Sequence, residues 1–320
     1  MATVMKGQYA NIINLAIGLV VIFGIMAAIS PKGPDGFPIL LGKSNLVVML
    51  GFCTFNILLG AGMTFAILTG GIDLSVGRCL AVANVLFALV LNATSSLVLA
   101  TAAALLCGAG VGLVNGVITV KGRIPSFIAT LGTYMVCWGL AYVLSSGETI
   151  TTNAEIMRRP FVRAWIPLAP VIVPVMAVVL AHFLLTNFKS GRFFYAVGGN
   201  VEAARLSGIA VDRVRIMAFV ICGFCAGIGG ILYWTKLGSG SSLAGEAFEL
   251  YAIAAVIIGG TSLSGGEGTV IGTFLGALIM GVLREGLVIR EVSEHWQKVV
   301  FGAVIIAAVL FDSLRRRRRD

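Results

Sequence analysis

An all-α, polytopic membrane bundle of about ten transmembrane helices is the fold this sequence predicts, and three observations predict it. Hydrophobic residues make up 58% of the 320 positions and charged residues 12%, where a soluble domain carries about 25% charge. Apolar runs near 20 residues, the length that crosses a bilayer, recur with short polar joints between them. Glycine is abundant at 41 residues, as expected where helices pack closely in lipid.

The runs fall at 9–29, 45–69, 75–93, 96–119, 126–145, 167–187, 214–236, 247–262, 268–286 and 294–312. The first lacks a small-residue cleavage site and is long enough to span, so it reads as a helix rather than a signal peptide. The stretch 79–120 has no charge until its end and is too long for one span, so it divides at Asn92-Ala-Thr-Ser-Ser96. Outer loops are expected near 31–44, 146–166, 237–246 and 287–293. No soluble domain fits between the spans, so residues 1–320 form a single transmembrane domain.

Lysine and arginine set the orientation. With the N-terminus inside, fourteen fall on the cytoplasmic side, including Lys6, Arg78, Lys121, Arg123 and the run Arg315–Arg319, against nine outside. Both termini are therefore expected inside, with 188–213 the longest cytoplasmic stretch. The net charge of +9 reads as anchoring beside anionic lipid, not as nucleic-acid binding, because the cations flank apolar segments.

Two glycine-rich strings interrupt the runs. Gly70-Gly71-Ile-Asp73-Leu-Ser75-Val-Gly77 follows the second span and Gly259-Gly260-Thr-Ser262-Leu-Ser264-Gly-Gly266 the eighth; both fit GGxxLSxG. They suggest a weak parallel internal repeat. Paired glycine breaks at corresponding positions point to a transport pathway; tight inner turns are the other reading. Asp73, Ser75, Ser262 and Ser264 are of the types that cap a restarting helix. Asn56, Asn84 and Asn115 lie inside spans, where an amide must face another helix or a wet cavity. The ladders Gly108/Gly112/Gly116 and Gly268/Gly272/Gly276 put glycine on one helix face for close packing. Deep carboxylates are expected to be nearly absent from the spans, which suits a neutral polyhydroxylated solute better than an ion.

A short amphipathic helix stands apart in the cytoplasmic stretch, at Asn200-Val-Glu202-Ala203-Ala204-Arg205-Leu-Ser207-Gly208. Asn200 can cap it, Glu202 and Arg205 complement its dipole, and Gly208 supplies a left-handed stop. About two turns cannot span a bilayer, so the helix is suited to docking on a soluble partner. Its Ala203–Ala204 face is small enough to seat in a groove. The six cysteines, including the Cys222/Cys225 pair inside an uncharged run, read as small packing residues. Gly42-Lys-Ser44 lacks the spacing of a phosphate-binding loop.

Three of these strings together, the two breaks and Gly198–Gly208, resemble the signatures of ribose-type monosaccharide ABC importer permeases over about residues 45–312. The more distant branched-chain amino-acid permeases share the architecture but usually lack the Gly-Gly-Ile-Asp-Leu-Ser string. The resemblance implies a subunit of a bacterial inner-membrane importer that is not itself an enzyme. Two permease copies, or this chain and a paralogue, would work with two ABC ATPase subunits and a periplasmic solute-binding protein. ATP and Mg would bind the ATPases and no cofactor this chain. Asn200, Glu202, Ala203, Ala204, Arg205, Ser207 and Gly208 would form the coupling helix. Gly70, Gly71, Asp73, Ser75, Asn56, Asn84, Asn115, Gly259, Gly260, Ser262 and Ser264 are the gate or pathway candidates. A branched-chain amino-acid-type permease or a self-contained secondary carrier is the alternative, and a membrane hydrolase built on His182 a remote one.

Overall fold

The computed structural model describes the backbone of residues 2–317 and, within it, side chains from 11 to 310. The side chains of Lys6 and of the Arg315–Arg319 run lie outside the described residues. Eight described helices are long and apolar enough to cross a membrane: α1 (Ala2–Ile29), α2 (Lys43–Leu68), α3 (Val76–Thr94), α4 (Leu97–Lys121), α5 (Ser126–Ser145), α8 (Ala169–Asn187), α11 (Val211–Leu237) and α13 (Val270–Ile289). Between α5 and α8 lie β1 (Ile150–Thr151) and the short helices α6 (Ala154–Met157) and α7 (Pro160–Trp165). The stretch expected on the cytoplasmic side forms α9 (Lys189–Gly199) and α10 (Val201–Leu206). β2 (Ser239–Gly240) and α12 (Phe248–Ile258) follow α11, and α14 (Glu294–Arg317) closes the chain.

The spanning helices form two shells. The most apolar windows of α2, α3, α11 and α13 are 72, 72, 56 and 61% buried within the chain, whereas those of α4, α5 and α8 are 22% and that of α1 is 0%. Lipid or another subunit must cover the outer shell, since its exposed residues are apolar. Glycine brings the shells together. A Cβ on Gly108 or Gly112 would strike the α11 backbone at Gly223 or Phe219, and one on Gly116 would lie 2.8 Å from Ile216 Cα. The second ladder keeps two of its three members: Gly272 and Gly276 of α13 lie against Gly259 and Ala255, whereas Gly268 precedes the helix and packs on Thr261. Such contact lets backbones meet without side chains between them. Cys222 and Cys225 are free and buried in α11, with Gly62 of α2 packed against both.

The predicted eighth span differs. α12 has 11 residues, roughly 16 Å of helix, too short to cross. The preceding 238–247, expected as an outer loop, is drawn inside: Ser239, Ser242 and Ala244 are buried. β2 pairs with β1 in antiparallel register, Ile150 opposite Gly240 and Thr151 opposite Ser239, which satisfies backbone that lipid could not.

Candidate functional site: a mid-span junction and a docking helix

The first break is a helix stop followed by a short extended return into the bundle. α2 ends with Gly70 at φ +77°; Gly71 N donates to Ala66 O and Gly70 N to Ile67 O, the paired bonds of a Schellman stop. The chain then runs along the first turns of α5, where Ile72 N donates to Ser126 Oγ and Leu74 N to Thr130 Oγ1, both at 3.1 Å. These hydroxyls replace the strand or helix partners that the backbone lacks there.

Asp73 was expected to cap α3, and it does not. The N-cap position is Ser75, with no side-chain cap bond. Instead Asp73 Oδ1 accepts from Ser75 N at 2.9 Å and Ser75 Oγ at 2.7 Å, an Asx-type turn one step before the helix. Asn115 Nδ2 donates to Ser75 Oγ at 2.8 Å and approaches both carboxylate oxygens at 3.3 Å. Thr133 Oγ1 donates to Asn115 Oδ1 at 2.6 Å. The network ties the start of α3 to α4 and α5, roughly 10 Å in from the C-terminus of α4 and the N-terminus of α5.

Beyond it, α3 and the inturned 238–247 segment cross backbone to backbone. A Cβ on Gly77 would lie 2.5 Å from Gly245 O and would collide with Glu249 Oε2. The Glu249 carboxylate therefore rests over the first turn of α3, where the dipole favours an anion. Arg78, one residue on, is 4% exposed; its guanidinium lies 4.9 Å from the Trp138 ring centre and 5.4 Å from that of Tyr134, whose hydroxyl accepts from Nε at 3.3 Å. Arg78 Nη1 and Glu249 Oε2 have no hydrogen-bond partner, and no ion pair joins the two among the described residues.

Two expectations fall here. Arg78 leaves the cytoplasmic side and sits roughly 18 Å along α5, opposite Trp138. The bundle interior is also not free of carboxylates: Asp73 and Glu249 are both buried. Inside a membrane such groups mark function by default. The sequence hid them because Asp73 and Arg78 stand beside glycine breaks that look like surface turns, and Glu249 borders what looks like a loop.

The three span amides separate. Asn84 is satisfied: Nδ2 donates to Gly230 O at 3.0 Å and Oδ1 accepts from Ser241 N at 2.8 Å, clamping the inturned segment to α3 and α11. Asn115 belongs to the Asp73 network. Asn56, fully buried in α2, has no partner on either side-chain atom.

The second break repeats the first as geometry but shifts by one residue. α12 ends with Gly260 at φ +83°, Thr261 N donating to Val256 O and Gly260 N to Ile257 O. The left-handed residue is the second glycine of this string and the first of the other. Ser262 is buried and Ser264 exposed, but neither caps the restart; Thr269 does, accepting from Gly272 N at 2.9 Å. The two breaks meet, with Gly266 N donating to Leu68 O at 3.0 Å. Gly198 is wedged at that point, its Cα face against Leu68 O and Gly266 N, and Gly265 packs on Gly70.

α10 starts two residues after this crossing. Asn200 is its N-cap, Oδ1 accepting from Ala203 N at 2.9 Å. Glu202 and Arg205 pair at 3.4 Å in solvent, and Ser207 Oγ donates to Ala203 O. Gly208 holds φ +80° and closes a third Schellman stop with Ile209 N on Ala204 O. One part of the docking face is corrected. Ala204 is 4% exposed and packs with Val197 and Val211, so it anchors the helix to its own chain. Ala203 remains exposed, and Leu206, at 88% exposure, is the apolar tip that sequence reasoning overlooked. α9, which leads into α10 and ends at Gly199, was also missed.

Residues 45–309 match the family described as branched-chain amino acid transport system / permease component. Among curated relatives, the ribose import permease protein RbsC of Escherichia coli (strain K12) is 38% identical over 93% of both chains. That of Bacillus subtilis (strain 168) is 41% identical over 92% of this chain and 91% of its own. The D-allose transport system permease protein AlsC of Escherichia coli (strain K12) is 36% identical over 96% and 92%.

Proposed function

The chain belongs to the branched-chain amino acid transport system / permease component family, and from that premise we propose that it is the permease subunit of an ATP-driven monosaccharide importer in a bacterial inner membrane. It binds no nucleotide itself; ATP and Mg act on separate ATPase subunits. A second permease copy or paralogue completes the membrane part, and a periplasmic binding protein delivers the sugar. The sugar-importing relatives favour this over amino-acid import.

One observation carries the mechanism: Gly198 touches both breaks two residues before the Asn200 cap. A push on α10 is therefore delivered to Leu68–Gly70 and Gly265–Gly266 together, since backbone contacts leave no soft side chain to absorb it. Those breaks lead into α3 and α13. α3 in turn carries the buried Arg78 and the Gly77 crossing with α12. The sugar path runs past this junction, where Trp138 and Tyr134 offer ring faces and Arg78 and Glu249 hold unused hydrogen-bonding atoms for hydroxyls. Exposed Leu206 enters the ATPase groove.

Reconstitution with the ATPase and binding protein tests this. Leu206→Glu and Gly208→Val are expected to reach the membrane, stop uptake and cut the stimulation of ATP hydrolysis by sugar-loaded binding protein at least tenfold. Normal stimulation with only sugar passage lost would place α10 in the path instead. Uptake by the chain without any ATPase would establish a secondary carrier.

A further inference from the structure

On the α10 side of the first break lies an open cavity of about 640 Å³, lined by Gly70–Gly71 and by Arg205 of α10. Its volume is in the range of small-molecule sites. Its charge is one-sided: Lys121, Arg123, Arg205 and Arg215 line it, against a single carboxylate, Asp212. Asp212 is held by Lys121 at 3.5 Å and Arg205 by Glu202 at 3.4 Å. Arg123 and Arg215 have no ion pair among the described residues. Two atoms of the lining residues, Arg215 Nε and Thr119 Oγ1, are shut from water and lack a hydrogen-bond partner. Arg123 is moreover held at φ +53°, a backbone region uncommon for a residue with a side chain.

These groups select the ligand by chemistry. A guanidinium nitrogen only donates, so the cavity needs acceptors. A neutral sugar carries no charge and leaves the cations uncompensated. A phosphate group brings three acceptor oxygens and up to two charges, more of each than a carboxylate, and guanidinium forks bind it through paired hydrogen bonds. We propose that this cavity is a cytoplasmic binding site for a phosphate group, carried either by a small phosphorylated metabolite or by a lipid headgroup. Binding stands independently of the transport reading. Its consequence rests on that reading: an occupant touching both Gly70–Gly71 and Arg205 ties break to docking helix and slows import from the cytoplasmic side.

The test uses the full chain in phosphatidylcholine nanodiscs, titrated calorimetrically with glycerol 3-phosphate and, as the neutral control, glycerol. Saturable binding of glycerol 3-phosphate and none of glycerol is expected. Arg215→Gln and Arg123→Gln should each weaken binding at least tenfold. Thr119→Val, which removes one hydroxyl, should weaken it severalfold, and Arg192→Gln, an exposed cytoplasmic cation outside the cavity, should leave it unchanged. Variants are compared only at unchanged melting temperature, and Thr119→Val keeps the test alive should an arginine variant not fold. Phosphatidic acid in the nanodisc separates the sources. Competition with glycerol 3-phosphate assigns the site to lipid phosphate and absence of competition to the soluble anion; either sustains the proposal. No saturable binding in phosphatidylcholine, or equal loss with Arg192→Gln, overturns it. So does an Arg215→Glu chain that loses its ATPase while wild type binds no phosphate, for the cations would then belong to that interface.

Discussion

The docking helix α10 and the mid-span junction around Gly77 are held by opposite means. α10 is closed by its own residues: the Asn200 cap, the Glu202–Arg205 pair and the Gly208 stop all lie within nine consecutive positions. Ala204, with the half-buried Val201 beside it, fastens it to the rest of the chain. The junction has almost no local logic. Gly77 waits for Gly245 and Glu249, Asp73 for Asn115, and Asn84 for Ser239 and Ser241. The proposed function gives each a reason: a helix that meets a partner is exposed and self-sufficient, whereas a junction that changes shape inside a membrane is shared among several helices. Changes at the junction should therefore cost stability first, and changes on α10 coupling first.

The largest effect is expected from Gly77→Val. Its side chain meets backbone and a buried carboxylate, neither of which can withdraw, so a loss of about 3 kcal/mol or more is expected. The chain should fail to elute as a single species after detergent extraction. A normally stable variant would mean that the crossing is loose and the comparison wrong.

Asn115→Leu comes next. It removes the donor shared by Asp73 and Ser75, leaving the buried Asp73 Oδ2 without its Asn115 contact at about 1–3 kcal/mol, while Thr133 keeps Thr130 O. A lowered melting temperature with ATPase binding retained is the expected pattern. Loss of ATPase binding at unchanged stability would reverse the roles assigned to the two regions.

Asn200→Ala removes only a cap and should cost about 1 kcal/mol, visible as faster amide exchange over 201–206 with no change at 73–78. The smallest stability effect belongs to Leu206→Glu, within about 0.5 kcal/mol because the side chain touches solvent. Its ATPase co-purification should nevertheless fall severely. Retained co-purification would show that Leu206 is not the apolar anchor.

Helix α10 was legible in the sequence because its determinants are short-range. Asn200, Glu202, Arg205 and Gly208 act on neighbours three or four residues away, and each sits where the one-dimensional pattern puts it. What failed there was the inward turn of Ala204 and the exposure of Leu206, since a six-residue helix has too few turns for its pattern to say which side the rest of the molecule takes. The glycine breaks were legible as breaks, yet their capping was misassigned. Asp73 and Ser262 carry the right side chains for caps, but the caps lie at Ser75, without a side-chain bond, and at Thr269.

By itself, the sequence determined that this chain lives in a membrane, where eight of its long apolar helices lie, where the glycine breaks fall and where the short capped helix forms. Each follows from composition or from bonds closed within a few residues. Tertiary structure alone decided that 238–247 turns inward, that α12 is only half a span, and that Arg78 and Glu249 lie buried at one crossing. A glycine beside a charged residue reads as a surface turn until another backbone arrives to cover it. Nothing within a helical turn of Gly77 announces Gly245, because a contact between residues so far apart in the chain is set by how whole helices pack.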